Sequence, residues 1–233
     1  MQLTEPQAPA SALARFAQRK KANYFKSTAL DVAWHIGNSL GSTLYPKPPP
    51  ATSRLLNLGC GAVKYDGFVN ADCYNFFAIL KGMHKSPDWM LDATRPWHCK
   101  DDYWHGIFCE HMLEHLRYAD VTLCLKEAYR TLGPGGFLRL VVPDIDVYVR
   151  LYRNEVAPEH AARFPSGPEA ISDMTQNWGH VSVWNARLLR QLLEEIGLTE
   201  VREVSFGVGS VPLLIQDSPH RAWESCYVEG RKL

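Results

Sequence analysis

The chain has 233 residues, room for one α/β domain with a sizeable core. Lys plus Arg and Asp plus Glu each number 25, a formal net charge of +0, so no overall field draws nucleic acid and the partner expected is a small or neutral molecule. The six cysteines, at 60, 73, 99, 109, 124 and 226, form no C-x-x-C pair, which argues against a zinc ribbon or a thioredoxin-like redox site and for buried, reduced thiols. No stretch reaches the ~20 apolar residues of a membrane span. The opening MQLTEPQAPASALARF lacks the basic-then-apolar order of a secretory signal, so a cytoplasmic protein with no membrane partner is expected.

Residues 11–40 carry a loose helical pattern interrupted by Gly37 and Gly41, and Pro46–Pro50 then forces an extended connector. Residues 1–50 therefore read as a helical arm and connector, and 51–233 as the main domain. Arg54–Leu58 is an apolar run that ends in Gly59-Cys-Gly61, as where a buried parallel strand meets a tight turn. Phe68–Asp72, Asp88–Asp92 and Trp104–Cys109 are the next strand candidates, each ending near an acidic residue. Val121, Leu125, Ala128 and Leu132 recur at helical spacing, with Gly133-Pro134 as the stop. Phe137–Val142 is a strand closed by Pro143-Asp144, and a helix is expected at about 145–153.

Residues 154–181, with Pro158, Pro165, Gly167 and Pro168, read as too broken for regular structure throughout, a segment suited to covering a substrate. Leu188, Leu189, Leu192, Leu193 and Ile196 then form one helical stripe ended by Gly197, and Glu200–Phe206 and Trp223–Val228 supply the last strands. Alternating strands and helices imply an α/β fold: a Rossmann-like, mainly parallel sheet with helices on both faces and the last strand antiparallel.

In open α/β sheets ligands lie beyond the carboxyl ends of the strands, where Asn57–Gly61 falls. A dinucleotide fingerprint needs a third Gly or Ala, and Lys64 stands there, which disfavours NAD. The ordered motifs Leu56–Gly61, Asp66–Asp72, Leu113–His115, Tyr129–Gly136 and Val142–Asp144 together resemble a class I S-adenosylmethionine-dependent methyltransferase of the methyltransferase 11-like branch. The resemblance spans roughly residues 54–229. It implies that S-adenosylmethionine is the cofactor, with Asn57, Gly59, Cys60 and Gly61 at its methionine part, Asp72 on the ribose hydroxyls, and Asp92 and Ala93 flanking the adenine. Asp92 reads equally well as a helix or turn cap. One feature departs from the pattern. Only Gly59–Gly67 separates the first two strands, shorter than the usual parallel crossover, so the helix there must be shortened or lost.

The stretch Cys109–Leu116, CEHMLEHL, contains His111-x-x-Glu114-His115, the inverted zincin pattern. A zinc hydrolase is therefore one alternative function. The motif follows a strand-like run instead of lying within a long helix, and no sequence signal singles out a further ligand. The expectation is a post-strand segment without metal, in which Glu110 and His111 face the cofactor while Glu114 and His115 brace the loop. The expected reaction moves the sulfonium methyl to an oxygen, or failing that a nitrogen, of a small-molecule acceptor such as a sugar. His180 and Asp144 are the candidate bases, each with a plain structural role open to it: loop fixing for His180 and helix capping for Asp144. A methyltransferase-like domain that binds cofactor without turnover is the non-enzymatic alternative.

Overall fold

The computed structural model describes residues 47–50, 52–73, 87–164 and 166–233, together with Ile36; apart from Ile36, the helical arm expected at 11–40 lies outside the described residues. Seven strands form one sheet: β1 (Leu55–Leu58), β2 (Phe68–Asp72), β3 (Trp89–Met90), β4 (Trp104–Glu110), β5 (Leu132–Pro143), β6 (Thr199–Val204) and β7 (Ser225–Arg231). Their order is β3-β2-β1-β4-β5-β7-β6. The first five are parallel, and β7 runs antiparallel to both β5 and β6. The fold is the Rossmann-like, mainly parallel sheet expected. The order reverses between β1 and β4, so the crevice where such sheets bind ligands opens beyond Leu58 and Glu110.

Among the described residues from 47 onward the α-helices are α1 (Tyr118–Thr131), α2 (Ile145–Tyr152), α3 (Pro158–Ala161), α4 (Gly167–Gln176) and α5 (Ala186–Glu195). Val121, Cys124, Leu125 and Ala128 of α1 and Leu189, Leu192 and Leu193 of α5 share one buried cluster with Leu56, Ile107, Leu138 and Val228 of the sheet. Fully burying each such side chain stabilises the fold by about 1.5–3 kcal/mol, so this face dominates the core. On the opposite face Leu55, Phe68, Phe108, Val141 and Tyr227 pack under Leu214, which belongs to the irregular segment between β6 and β7. Buried charges fix that segment: Arg139 of β5 donates to the Asp217 carboxylate through Nε at 2.8 Å and to the Val208 carbonyl at 2.9 Å.

Two details differ from the expected elements. Helix α1 stops at Thr131, before Gly133-Pro134, because Leu132 is already paired with Trp104 as the first residue of β5. Within 154–181 the chain forms α3 and α4. Pro158, Gly167 and Pro168, which read as breakers, serve as starts: Pro158 opens α3, and in α4 Ser166 Oγ caps the helix by accepting from the Glu169 N–H and donates to the Glu169 carboxylate, with Pro168 in the first turn.

The β1–β2 crossover has no helix, yet β1 and β2 pair in parallel register from Leu55↔Phe68 to Leu58↔Ala71. Nine residues can extend about 30 Å, more than twice the roughly 13 Å of a four-residue strand, so a bare loop can return the chain. Two buried asparagines replace the missing helix as its anchor. Asn57 Nδ2 donates to the Val63 carbonyl and to Asn70 Oδ1, which also accepts from the Tyr65 N–H. Asn70 Nδ2 donates in turn to Asp88 at 2.7 Å.

Candidate active site

The turn after β1 is built on two left-handed glycines, Gly59 at φ +75° and Gly61 at φ +53°. The N–H groups of Gly59 and Cys60 both donate to the Ala71 carbonyl, and the Gly61 N–H donates to Asp72 Oδ2 at 2.7 Å. The glycine turn is thereby tied to the end of β2. A Cβ on Gly59 would lie 2.3 Å from Met112 Cγ, so the turn also packs directly against the segment after β4. Glycine backbone beside an acidic side chain at the strand ends suits a cofactor with a ribose diol and no pyrophosphate.

The other residues expected at the cofactor are placed as follows. Asn57 is buried and spends its amide on the crossover, so its side chain holds the turn from behind. Cys60 is buried, and burial together with the Asp72 charge pushes its thiol up to about 12. Asp92 accepts from the N–H and the hydroxyl of Thr94 and pairs with Arg95 at 3.2 Å, the turn-capping role that was its alternative. Ala93 is buried in the main cluster. Glu110 accepts from the Ser218 N–H at 2.8 Å and from its hydroxyl, which ties β4 to the start of the final turn before β7.

His111, in the left-handed region at φ +49°, starts the bend that ends β4. Its Nε2 lies 2.8 Å from Ser225 Oγ. That hydroxyl gives its one proton to the Arg221 carbonyl at 2.9 Å, so it can only accept from His111, which leaves Nδ1 bare. The bare Nδ1 faces Glu114 Oε1 at 3.3 Å. Burial, reinforced by the positive charge of Arg221, drives the His111 imidazole down to about 2, so it stays neutral.

Leu113–His115 forms one 3-10 turn. The Glu114 carbonyl accepts from the N–H groups of Val181 and Ser182, and the Leu113 carbonyl accepts from Ser182 Oγ at 3.1 Å. These bonds bring the loop after α4 onto the end of β4, and with it His180. His180 Nδ1 lies 2.6 Å from the Met174 carbonyl, which only accepts, so the proton sits on Nδ1 and Nε2 is bare. Nε2 lies 3.9 Å from Glu114 Oε1, and the His115 and His180 rings meet edge to face at 5.0 Å. Glu114 is 1% exposed and neither carboxylate oxygen has a hydrogen-bond partner. Burial pushes its carboxyl up to about 8.

Asp144 caps α2 by accepting from the Asp146 N–H at 3.0 Å, and burial raises its pKa. Of the two base candidates, His180 lies against CEHMLEHL and Asp144 is occupied at a helix terminus. Sequence reasoning did not find the contributions of Met112, Ser225 and Ser218. Each acts through a tertiary contact that no spacing announces.

A family model described as a methyltransferase domain matches residues 7–203. The chain belongs to the methyltransferase domain family. It is an S-adenosylmethionine-dependent methyltransferase, and both the zinc-hydrolase and the non-enzymatic alternatives fall with that assignment. No curated protein matches the methyltransferase in sequence. Similar solved structures include an S-adenosylmethionine-dependent methyltransferase from Archaeoglobus fulgidus, at TM-score 0.48 and 13% identity over 85% of this chain and 94% of that one. Another is a possible histamine N-methyltransferase from Thermotoga maritima, at TM-score 0.49 and 14% identity over 88% and 94% of the two chains. A Haemonchus contortus phosphoethanolamine N-methyltransferase holding S-adenosylhomocysteine follows at TM-score 0.44 and 11% identity, over 84% of this chain and 52% of that one. Among the described residues, no helix of the methyltransferase is long and apolar enough to cross a membrane.

Proposed function

We propose that the methyltransferase transfers the activated methyl group to a hydroxyl of a small molecule, a sugar or other hydroxylated metabolite, and that the cluster after β4 is the acceptor side of the site. The observation that carries this reading is the state of His180. The Met174 carbonyl holds its proton on Nδ1, and the bare Nε2 is presented 3.9 Å from Glu114, in the segment after β4 whose Met112 packs on Gly59. An imidazole in that state can take the hydroxyl proton as the carbon–sulfur bond breaks and the carbon–oxygen bond forms. Trp178, two residues away and 76% exposed, offers an aromatic face of the kind that covers a sugar ring.

In this reading the donor lies over Gly59–Gly61, with the backbone of Cys60 beside the methionine part and Asn57 steadying the turn. Asp72 bonds the ribose hydroxyls, Asp92 and Ala93 border the adenine, and Glu110 and His111 close the strand-end wall between donor and acceptor. The protein's main contribution is alignment of the two reactants. Asp144 is the second candidate base. Residues 154–181, now with α3 and α4, are the acceptor-covering segment of the 51–233 domain.

Product analysis with labelled S-adenosylmethionine over a panel of hydroxylated and amine acceptors tests the proposal. An O-methylated product is expected. His180→Gln should then lower turnover by about 10²-fold or more with cofactor affinity unchanged. Exclusively N-methylated products would overturn the acceptor class, and full turnover in His180→Gln would move the base to Asp144.

A further inference from the structure

Alignment of donor and acceptor does not account for Glu114. A buried carboxylate with both oxygens lacking hydrogen bonds is costly unless a proton or a cation compensates it. Arg221 is the nearby positive charge that favours its ionised form, and it acts through space, with no hydrogen bond to either oxygen. Two bare imidazole nitrogens face the same carboxylate oxygen, Nδ1 of His111 at 3.3 Å and Nε2 of His180 at 3.9 Å. Three acceptor atoms thus converge, and the Glu114 backbone N–H and the Arg221 charge, neither of them in hydrogen-bond geometry with the carboxylate, are what offset them. Glu114, His115 and His180 each offer one ligand atom, and these atoms lie within 4.8 Å of one another.

We propose that Glu114, His115 and His180 hold a divalent cation of the zinc class beside the glycine turn, with one coordination position open. One carboxylate and two imidazoles suit zinc and its first-row neighbours, whereas magnesium and calcium prefer oxygen ligands throughout. Three protein ligands with an open side is the pattern of catalytic rather than structural sites. The surroundings of His180 have the form that orients a metal-bound imidazole: the Met174 carbonyl takes its Nδ1 proton and leaves Nε2 to the cation. His111 adds its bare Nδ1 next to Glu114 Oε1, from the strand end. The inverted zincin motif supplies only two of the three ligands. The third arrives 65 residues after His115, carried in by the bonds from Val181 and Ser182 to the Glu114 carbonyl.

This inference rests on the reading of the cluster as the acceptor side. A cation held there would occupy Nε2 of His180 and so replace its role as base with a ligand role: the cation would lower the pKa of an acceptor hydroxyl seated at the open position, whose proton would leave to solvent before the methyl is transferred.

The full chain, stripped with a chelator, is titrated with Zn²⁺ by calorimetry and with Co²⁺ by visible absorption, and S-adenosylmethionine binding is measured on the same samples. One equivalent of each metal is expected to bind. Glu114→Gln and His180→Gln should each weaken binding at least about 10²-fold, beyond what loss of an outer-shell contact costs. His98→Gln, at an exposed histidine, should leave it unchanged. Retained S-adenosylmethionine binding shows that a variant is folded. Protein that binds S-adenosylmethionine but takes up no metal would overturn the cation and favour a protonated Glu114, with the methyltransferase reading intact. Metal binding of wild-type strength in both variants would overturn it as well. Metal binding without any methyl transfer would support the cation and count against the acceptor reading.

Discussion

Single residues at the strand ends do two jobs at once. Gly59 must be glycine because its backbone is left-handed and because Met112 fills the space a Cβ would need. The cofactor turn and the segment after β4 are therefore one packed unit. Asp72 accepts from the Gly61 N–H at 2.7 Å and from the Cys73 N–H at 2.6 Å, so it is held in place before any ligand arrives. If its carboxylate also receives both ribose hydroxyls, Asp72→Ala should weaken S-adenosylmethionine binding by about 1.5–3 kcal/mol. Calorimetric titration measures this directly. Unchanged affinity would mean that the helix-free crossover puts another group on the ribose.

Among the elements, those that were legible in the sequence are the ones whose signal is local. Leu55–Leu58 of β1, Ile107–Cys109 of β4 and Leu140–Val142 of β5 are buried throughout and so appear as apolar runs, broken only by Asn57, and α5 shows one leucine stripe. Helix α4 was hidden because its start, Ser166-Gly-Pro-Glu169, is made of residues that also break helices. The site was half legible. CEHMLEHL stood out, but His180 reaches it only through hydrogen bonds between backbones far apart in sequence, and spacing carries no trace of that. The segment between β6 and β7 is a similar case, held by charge instead of pattern. Arg139 and Asp217 have side chains 1% exposed and pair with each other, and Glu229 binds Arg202 and Ser210 alongside. Removing one partner of a buried pair costs about 3–5 kcal/mol, because it strands the other charge. Asp217→Asn should lower stability by that order, seen as a reduced urea midpoint, with faster proteolysis of the 205–217 segment. A midpoint equal to wild type would show that Glu229 alone suffices for Arg139.

For the whole molecule, the thiols set a limit on the alkaline side. Five of the six cysteines are buried and Cys73 is partly so, and all six are free. Burial, the largest influence on each, pushes Cys60, Cys73 and Cys124 up to about 12 and Cys99 up to about 11, and raises Cys109 and Cys226 as well. In the unfolded chain a thiol ionises near 8.5. The folded pKa is the higher one, so the stabilising contribution is complete below the unfolded value and is lost as pH rises toward the folded values. Between those limits the unfolded state releases protons that the folded state keeps. Each thiol then removes about 1.4 kcal/mol of stability per pH unit, so a few suffice against the 5–15 kcal/mol of an ordinary domain. Urea midpoints at pH 7.5 and 9.5 should therefore fall steeply in the wild type. The fall should be smaller in Cys124→Ala, which removes one titrating group from the face packed by α1. The same burial predicts that iodoacetamide at pH 7.5 labels the folded protein far more slowly than the urea-unfolded one. Equal labelling rates, or a midpoint flat between the two pH values, would mean that the thiols reach water and that the α1 face opens in solution.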